Sequence, residues 1–203
     1  WEGHDVMEVA SPQGFAKNPE LVFEFYNQRR GQLLKVDPNK AHHALVNLED
    51  NFDVSIITQN VDDLHERAGS SNVLHLHGEL LKVRCTRNEN LVMDWRADLN
   101  HGDLSSDGFQ LRPHIVWFGE QVPLLETAIE ITATADVLVI IGTSMQVYPA
   151  AGLINYIKMG TPIYFIDPRP SINQHDFQNL TIIPKTAVNG VPILVEDLIG
   201  TMP

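Results

Sequence analysis

Val137-Leu138-Val139-Ile140-Ile141-Gly142-Thr143-Ser144 is the stretch on which the fold turns. Its five leading residues are apolar and rich in β-branched side chains, too short for a helix and right for a strand buried on both faces. The strand is expected over Asp136 to Gly142. A helix over Ala150 to Lys158, closed by Gly160, comes next, then a strand from Pro162 to Ile166 that breaks at Asp167-Pro168-Arg169-Pro170. Leu180 to Ile183 reads as a further strand, and Val191 to Ile199 as a final helix ending at Gly200. Strands alternating with helices need crossover connections, which pair the strands in parallel and put helices on both faces. The expected class is α/β: a doubly wound parallel sheet with a smaller inserted module.

The front half carries the same grammar less regularly. Asn18-Pro19-Glu20 starts a helix, with Asn at the cap and Pro at the first position, where its missing N–H costs nothing. Val22, Phe25, Tyr26, Arg29 and Leu33 then fall along one stripe. Pro38-Asn39 stops that helix and caps a second, from Ala41 to about Glu49. Val54 to Ile57 is a short strand ending in the polar run Thr58-Gln59-Asn60-Val61-Asp62-Asp63. A short helix over Asp62 to Ala68 closes at Gly69, and the alternating Val73 to Gly78 reads as another strand. Thr86 to Gln110 is Asn/Asp-rich and almost without period, a satellite module with Trp95 and Leu91 as its apolar anchors.

Composition excludes several classes. The 203 residues hold 14 Lys and Arg against 26 Asp and Glu, a formal charge of −12, so the chain is no general binder of nucleic-acid backbones. Its longest unbroken apolar run is far short of the ~20 residues that span a bilayer. The lone Cys85 excludes an internal disulfide and any all-cysteine zinc site built from this chain. A soluble, cytoplasmic protein is expected, without membrane or direct nucleic-acid partners. Because the chain opens on Trp1 with no signal peptide, a preceding segment is expected.

In a doubly wound sheet, ligands bind beyond the carboxyl ends of the strands. Gln59-Asn60-Val61-Asp62 and Gly142-Thr143-Ser144 stand at such ends. Ser144 can meet a phosphate or ribose, or merely cap a helix. Asp167 can accept ribose hydroxyls, or cap its own turn. His77, beside Gly78, is a natural base near neutral pH, although most of nine histidines must have other roles. Tyr26 and Arg29 are either a half-buried phenol with a snorkelling guanidinium, or a pair aimed at a substrate carboxylate.

Taken in order, these residues resemble the sirtuins, NAD-dependent protein-lysine deacylases. The likeness rests on Thr58-Gln59-Asn60-Val61-Asp62 with Leu64-His65 and Ala68-Gly69, then His77-Gly78. It continues through Leu111-Arg112-Pro113-His114-Ile115-Val116-Trp117-Phe118-Gly119-Glu120, Gly142-Thr143-Ser144 and Val147-Tyr148-Pro149-Ala150-Ala151. Phe25-Tyr26-Asn27-Gln28-Arg29-Arg30 resembles the class III branch, closest to its bacterial enzymes, in which a Tyr and an Arg read succinyl and malonyl groups.

The resemblance implies a Rossmann-like NAD-binding catalytic domain over residues 1–78 and 111–203. It implies a degenerate zinc-binding module over 79–110, and a helical part, 20–50, that supplies the acyl pocket. Asn60 and Asp62 would hold the nicotinamide end of NAD and its ribose, with Gln59 and Val61 nearby, and His77 would be the general base. Gly142, Thr143, Ser144, Asp167 and Ala187 would contact the adenosine half. Val116, Phe118 and Gly119 would line the acyl-lysine tunnel and pair with the peptide as an added strand. The implied partners are succinylated, malonylated and, more weakly, acetylated protein lysines; the products are nicotinamide, free lysine and O-acyl-ADP-ribose. The alternatives are a sirtuin-like NAD hydrolase or ADP-ribosyl transferase, or a non-catalytic ADP-ribose-binding module.

Three departures accompany the likeness. The glycine-rich Gly-Ala-Gly-x-Ser and its Phe-Arg are expected upstream of Trp1-Glu2-Gly3. Cys85 matches the first of the family's four zinc cysteines, but Ser105 and Ser106 stand near the second pair, so no zinc is expected. Asp167 replaces the usual Asn of the adenosine pocket.

Overall fold

The structure, a computed structural model, describes residues 3–173, 175 and 177–201; Trp1 and Glu2 of the front motif lie outside them. The chain divides into two compact units. One holds residues 1–36, 58–63 and 75–122, the other 37–57, 64–74 and 123–203.

The first unit begins with α1 (Val6–Val9), α2 (Pro12–Lys17) and α3 (Pro19–Leu33). Asn18 caps α3 as its sequence suggests, its side-chain oxygen accepting the Leu21 N–H. Ser11 does the same for α2 through Gly14. An antiparallel sheet follows, ordered β4 (Val92–Asp94), β3 (Gly78–Cys85), β5 (Leu111–Ile115). Val83 stands opposite Met93 on one side and Pro113 on the other. Phe23, Val83, Leu99 and Leu111 form the core, with Phe15, Met93 and Trp95 packed against it. Trp95 packs against this core as expected; Leu91, half-buried like Trp95, does not join it, and Leu99 fills the centre.

The second unit contains α4 (Lys40–Leu48), α5 (Leu64–Ala68), α6 (Leu125–Thr134), a 3-10 helix (Ala150–Tyr156) and α7 (Ala187–Gly200). Its parallel sheet runs β6 (Leu138–Ile141), β7 (Ile163–Ile166), β8 (Leu180–Ile183), with Ile163 paired to both Leu138 and Leu180. Side chains of β7 alternate between two cores. Tyr164 and Ile166 join Ala41, Leu45, Leu48, Val191 and Leu194 from α4 and α7. Ile163 and Phe165 join Ile154 of the 3-10 helix. Both faces of the parallel sheet are covered, which is the Rossmann-like α/β arrangement.

Several local expectations need correction. The strand expected over Val54 to Ile57 is β1 (Ile56–Thr58), paired with β2 (Val73–His75); the Ile56 N–H donates to the carbonyl of Asn72, just ahead of β2. The strand expected over Val73 to Gly78 turns at Leu76 and His77, and Gly78, at φ +86°, opens β3. The helix expected over Ala150 to Lys158 tightens to 3-10 geometry; Gly152 and Asn155 are weak helix formers and no side chain caps its start. The last helix begins at Ala187, four residues before Val191. Among the described residues no helix is long and apolar enough to cross a membrane.

Candidate active site

In the first unit, the run from Thr58 to Asp63 is tied down by its backbone. The Thr58 hydroxyl accepts the Asn60 N–H at 3.0 Å, the Thr58 carbonyl accepts Leu76 N–H, and the Val61 carbonyl accepts Leu80 N–H at 2.7 Å. Asn60 is therefore exposed on a held loop, with Asp62 half-buried beyond it. His77 faces this run, its Nδ1 lying 3.1 Å from the Gln59 carbonyl oxygen. A carbonyl can only accept, so Nδ1 carries the proton and Nε2 is left with a free lone pair. Burial lowers the His77 pKa from the usual 6.5, against the upward pull of the Gln59 carbonyl, so the ring is a neutral base at pH 7. Gly78 makes the turn feasible, since a Cβ there would overlap the His114 carbonyl.

Tyr26 is 3% exposed and accepts a hydrogen bond from the Trp117 indole N–H at 3.0 Å. Burial pushes the Tyr26 phenol up to about 12, overcoming the Trp117 hydrogen bond and the nearby Arg112 and Arg29 charges, so it keeps its proton. Arg29 donates to the Phe25 carbonyl at 3.1 Å, and its guanidinium lies 3.6 Å from the centre of the Phe25 ring. The fully buried arginine of this helix is its neighbour Arg30, which donates to the Leu80 carbonyl and to Asn27. Arg30 holds the strand whose Leu80 N–H holds Val61. Nothing in the residues around Arg30 signals this role.

Glu120 organises the segment after β5. Its carboxylate receives Arg112 at 2.6 and 3.0 Å, Arg84 at 3.2 Å and the Trp117 backbone N–H at 2.8 Å. Burial alone would raise the Glu120 carboxyl, but the Arg112 and Trp117 hydrogen bonds and the two arginine charges win and hold it below 4.5. Val116 N–H is spent on the His77 carbonyl and Phe118 N–H on the Ala10 carbonyl. These two N–H groups are therefore already engaged within the chain.

In the second unit, Gly142, Asp167 and Ala187 follow β6, β7 and β8, on the carboxyl edge of the parallel sheet. Gly142 has φ +59° with nothing within 4 Å of where a Cβ would be, and Ser144 is exposed. Thr143 accepts the Met145 N–H, and Asp167 caps its own turn through Arg169 N–H at 2.7 Å, which leaves its second oxygen for a ligand. No side chain caps the start of α7 at Ala187. Open backbone, an acid and an uncapped helix start fit the ribose and phosphate groups of a dinucleotide.

Zinc does not fit the residues present. The Cys85 thiol is buried and accepts hydrogen bonds from the Ser105 hydroxyl at 3.3 Å and Arg87 N–H at 3.4 Å. Among the described residues, no three His, Cys, Asp or Glu side chains gather where they could hold a metal ion.

Known proteins extend this picture. The model of the Sir2 family matches residues 1–149. A Helicobacter pylori protein named NAD-dependent protein deacylase is 59% identical over 199 residues, covering 98% of this chain and 86% of its own length. A crystal structure of a Sir2 homolog–NAD complex superposes with a TM-score of 0.88 at 38% identity, covering 98% of this chain and 80% of that one. A structure of Sir2 bound to acetylated peptide gives 0.80 at 28% identity, covering 96% and 84%. With 149 of its 203 residues matched by the family model, the chain belongs to the Sir2 family.

Proposed function

We propose that the chain is an NAD-dependent protein-lysine deacylase that removes succinyl and malonyl groups in preference to acetyl. The observation that carries the reaction is the His77 Nδ1 contact with the Gln59 carbonyl, which fixes the tautomer and leaves Nε2 to take a proton. NAD, when bound, supplies the leaving nicotinamide and the ribose hydroxyls that receive the acyl group. His77 removes a proton from a ribose hydroxyl at Nε2. Asn60 and Asp62 orient the nicotinamide end, and Gly142, Thr143, Ser144, Asp167 and Ala187 hold the adenosine end. The named relative and the Sir2 structures with NAD and with an acetylated peptide support the deacylase reading.

The acyl preference is supported by Tyr26 and Arg29 standing one turn apart on α3, a protonated phenol beside a guanidinium. A carboxylate-bearing acyl chain gains a charge-assisted partner there, and an acetyl methyl does not. Arg29→Met is expected to lower kcat/KM for a succinyl-lysine peptide at least tenfold more than for its acetyl-lysine counterpart. Equal losses on the two peptides overturn the preference. Nicotinamide release at full rate without any acyl peptide overturns the deacylase reading in favour of NAD hydrolysis.

A further inference from the structure

The Tyr26 hydroxyl accepts the Trp117 indole N–H, and this is its one hydrogen bond among the described residues. A phenolic O–H lies in the plane of its ring, because the oxygen conjugates with the ring. The proton therefore has two resting directions, on opposite sides of the C–O axis. A donor arriving on one side occupies the lone pair there and leaves the proton on the other. Tyr26 is thus a buried donor whose proton has no acceptor among the described residues, on a side chain 3% exposed.

Trp117 is firmly placed to impose this choice. Its backbone N–H is held by Glu120 at 2.8 Å, and its ring lies 3.4 Å beneath the Arg112 guanidinium, itself gripped by Glu120. The Phe15 ring closes in at 5.2 Å between centroids. Arg29 is close enough to act on the Tyr26 phenol electrostatically. A buried proton awaiting an acceptor and a nearby cation together select a ligand group that brings negative charge on oxygen. We infer that Trp117 is a specificity-determining positioning residue: by engaging one side of the Tyr26 hydroxyl, it presents the phenolic proton to the carboxylate of an acidic acyl group. An acetyl methyl leaves that proton unpaired. The inference rests on the acidic-acyl reading above.

The test is Trp117→Phe in the full chain, which keeps an aromatic ring and removes the donor. The ratio of kcat/KM for succinyl-lysine over acetyl-lysine peptide is expected to fall about tenfold, through KM for the succinyl peptide. Tyr26→Phe is expected to give the same fall, and the double variant to lose no more than about twofold beyond either single one. If Trp117→Phe melts at the assay temperature, 3-benzothienylalanine at position 117, which has the shape of tryptophan with sulfur in place of the N–H, gives the same reading. A ratio unchanged by the loss of the indole N–H, or proportional losses on both peptides, overturns the inference alone, provided that Tyr26→Phe and Arg29→Met lower the ratio. A wild-type protein without succinyl preference overturns both this inference and the reading beneath it.

Discussion

His77 owes its basicity to two neighbours that act oppositely: its buried surroundings disfavour the imidazolium, and the Gln59 carbonyl favours it. Burial prevails, and the consequence for rate has a definite sign. Only the neutral ring can accept a proton, so with His77 as the proposed base activity should be lost as pH falls through its pKa, which burial holds below 6.5. The pH profile of kcat/KM is expected to stay flat down to the ordinary histidine range and to fall only beneath it. His77→Gln should cost at least about a hundredfold at pH 7.5, and a loss under tenfold removes His77 from the base role. The glycine beside it marks His77 as a candidate in the sequence, while its proposed role came from the family resemblance and not from any local pattern. Arg30 carries no such mark. Residues three and four positions beyond Tyr26 both fall on its face of the helix, and only the Leu80 carbonyl, fifty residues on, decides that Arg30 is the one buried. The contact of Trp117 with Tyr26 has no local signal for the same reason, since the two are 91 positions apart.

The turn between β2 and β3 is the element that holds His77, the proposed base. With φ +86° and the His114 carbonyl against its Cα, position 78 accepts glycine alone. Gly78→Ala is expected to destabilise the protein by about 2–4 kcal/mol, from strain plus backbone displacement. A fall in Tm measured by calorimetry checks this, and should come with a loss of activity larger than the unfolded fraction explains. Helix starts were readable where cap chemistry is local: Asn18 and Asn39 both accept N–H groups of their first turns. The start of α6 was silent because Leu124 offers no side-chain cap. Ser11-Pro12 carried the same signature as Asn18-Pro19 and opens a helix of six residues, too short to show a period. β3, with Gly at one end and Arg84 and Cys85 at the other, lacks the β-branched run that marked β6.

At the scale of the molecule, the parallel half announced itself because apolar layers pack against both faces of its sheet, so hydrophobicity runs unbroken through Leu138–Ile141. The antiparallel half is stitched instead by part-buried polar contacts from distant segments, such as Asn27 with both backbone groups of Leu99. Such pairings leave no periodic trace. The central strand β7 has a further consequence. Tyr164 and Ile166 belong to one packed layer, and Ile163 and Phe165 to the other. Neither layer can open without stripping half the side chains of a strand that the other still needs. The two layers should therefore lose structure in a single cooperative step. In native-state hydrogen exchange, the amides of Ile163 to Ile166 are expected to share one opening free energy, equal to that of global unfolding.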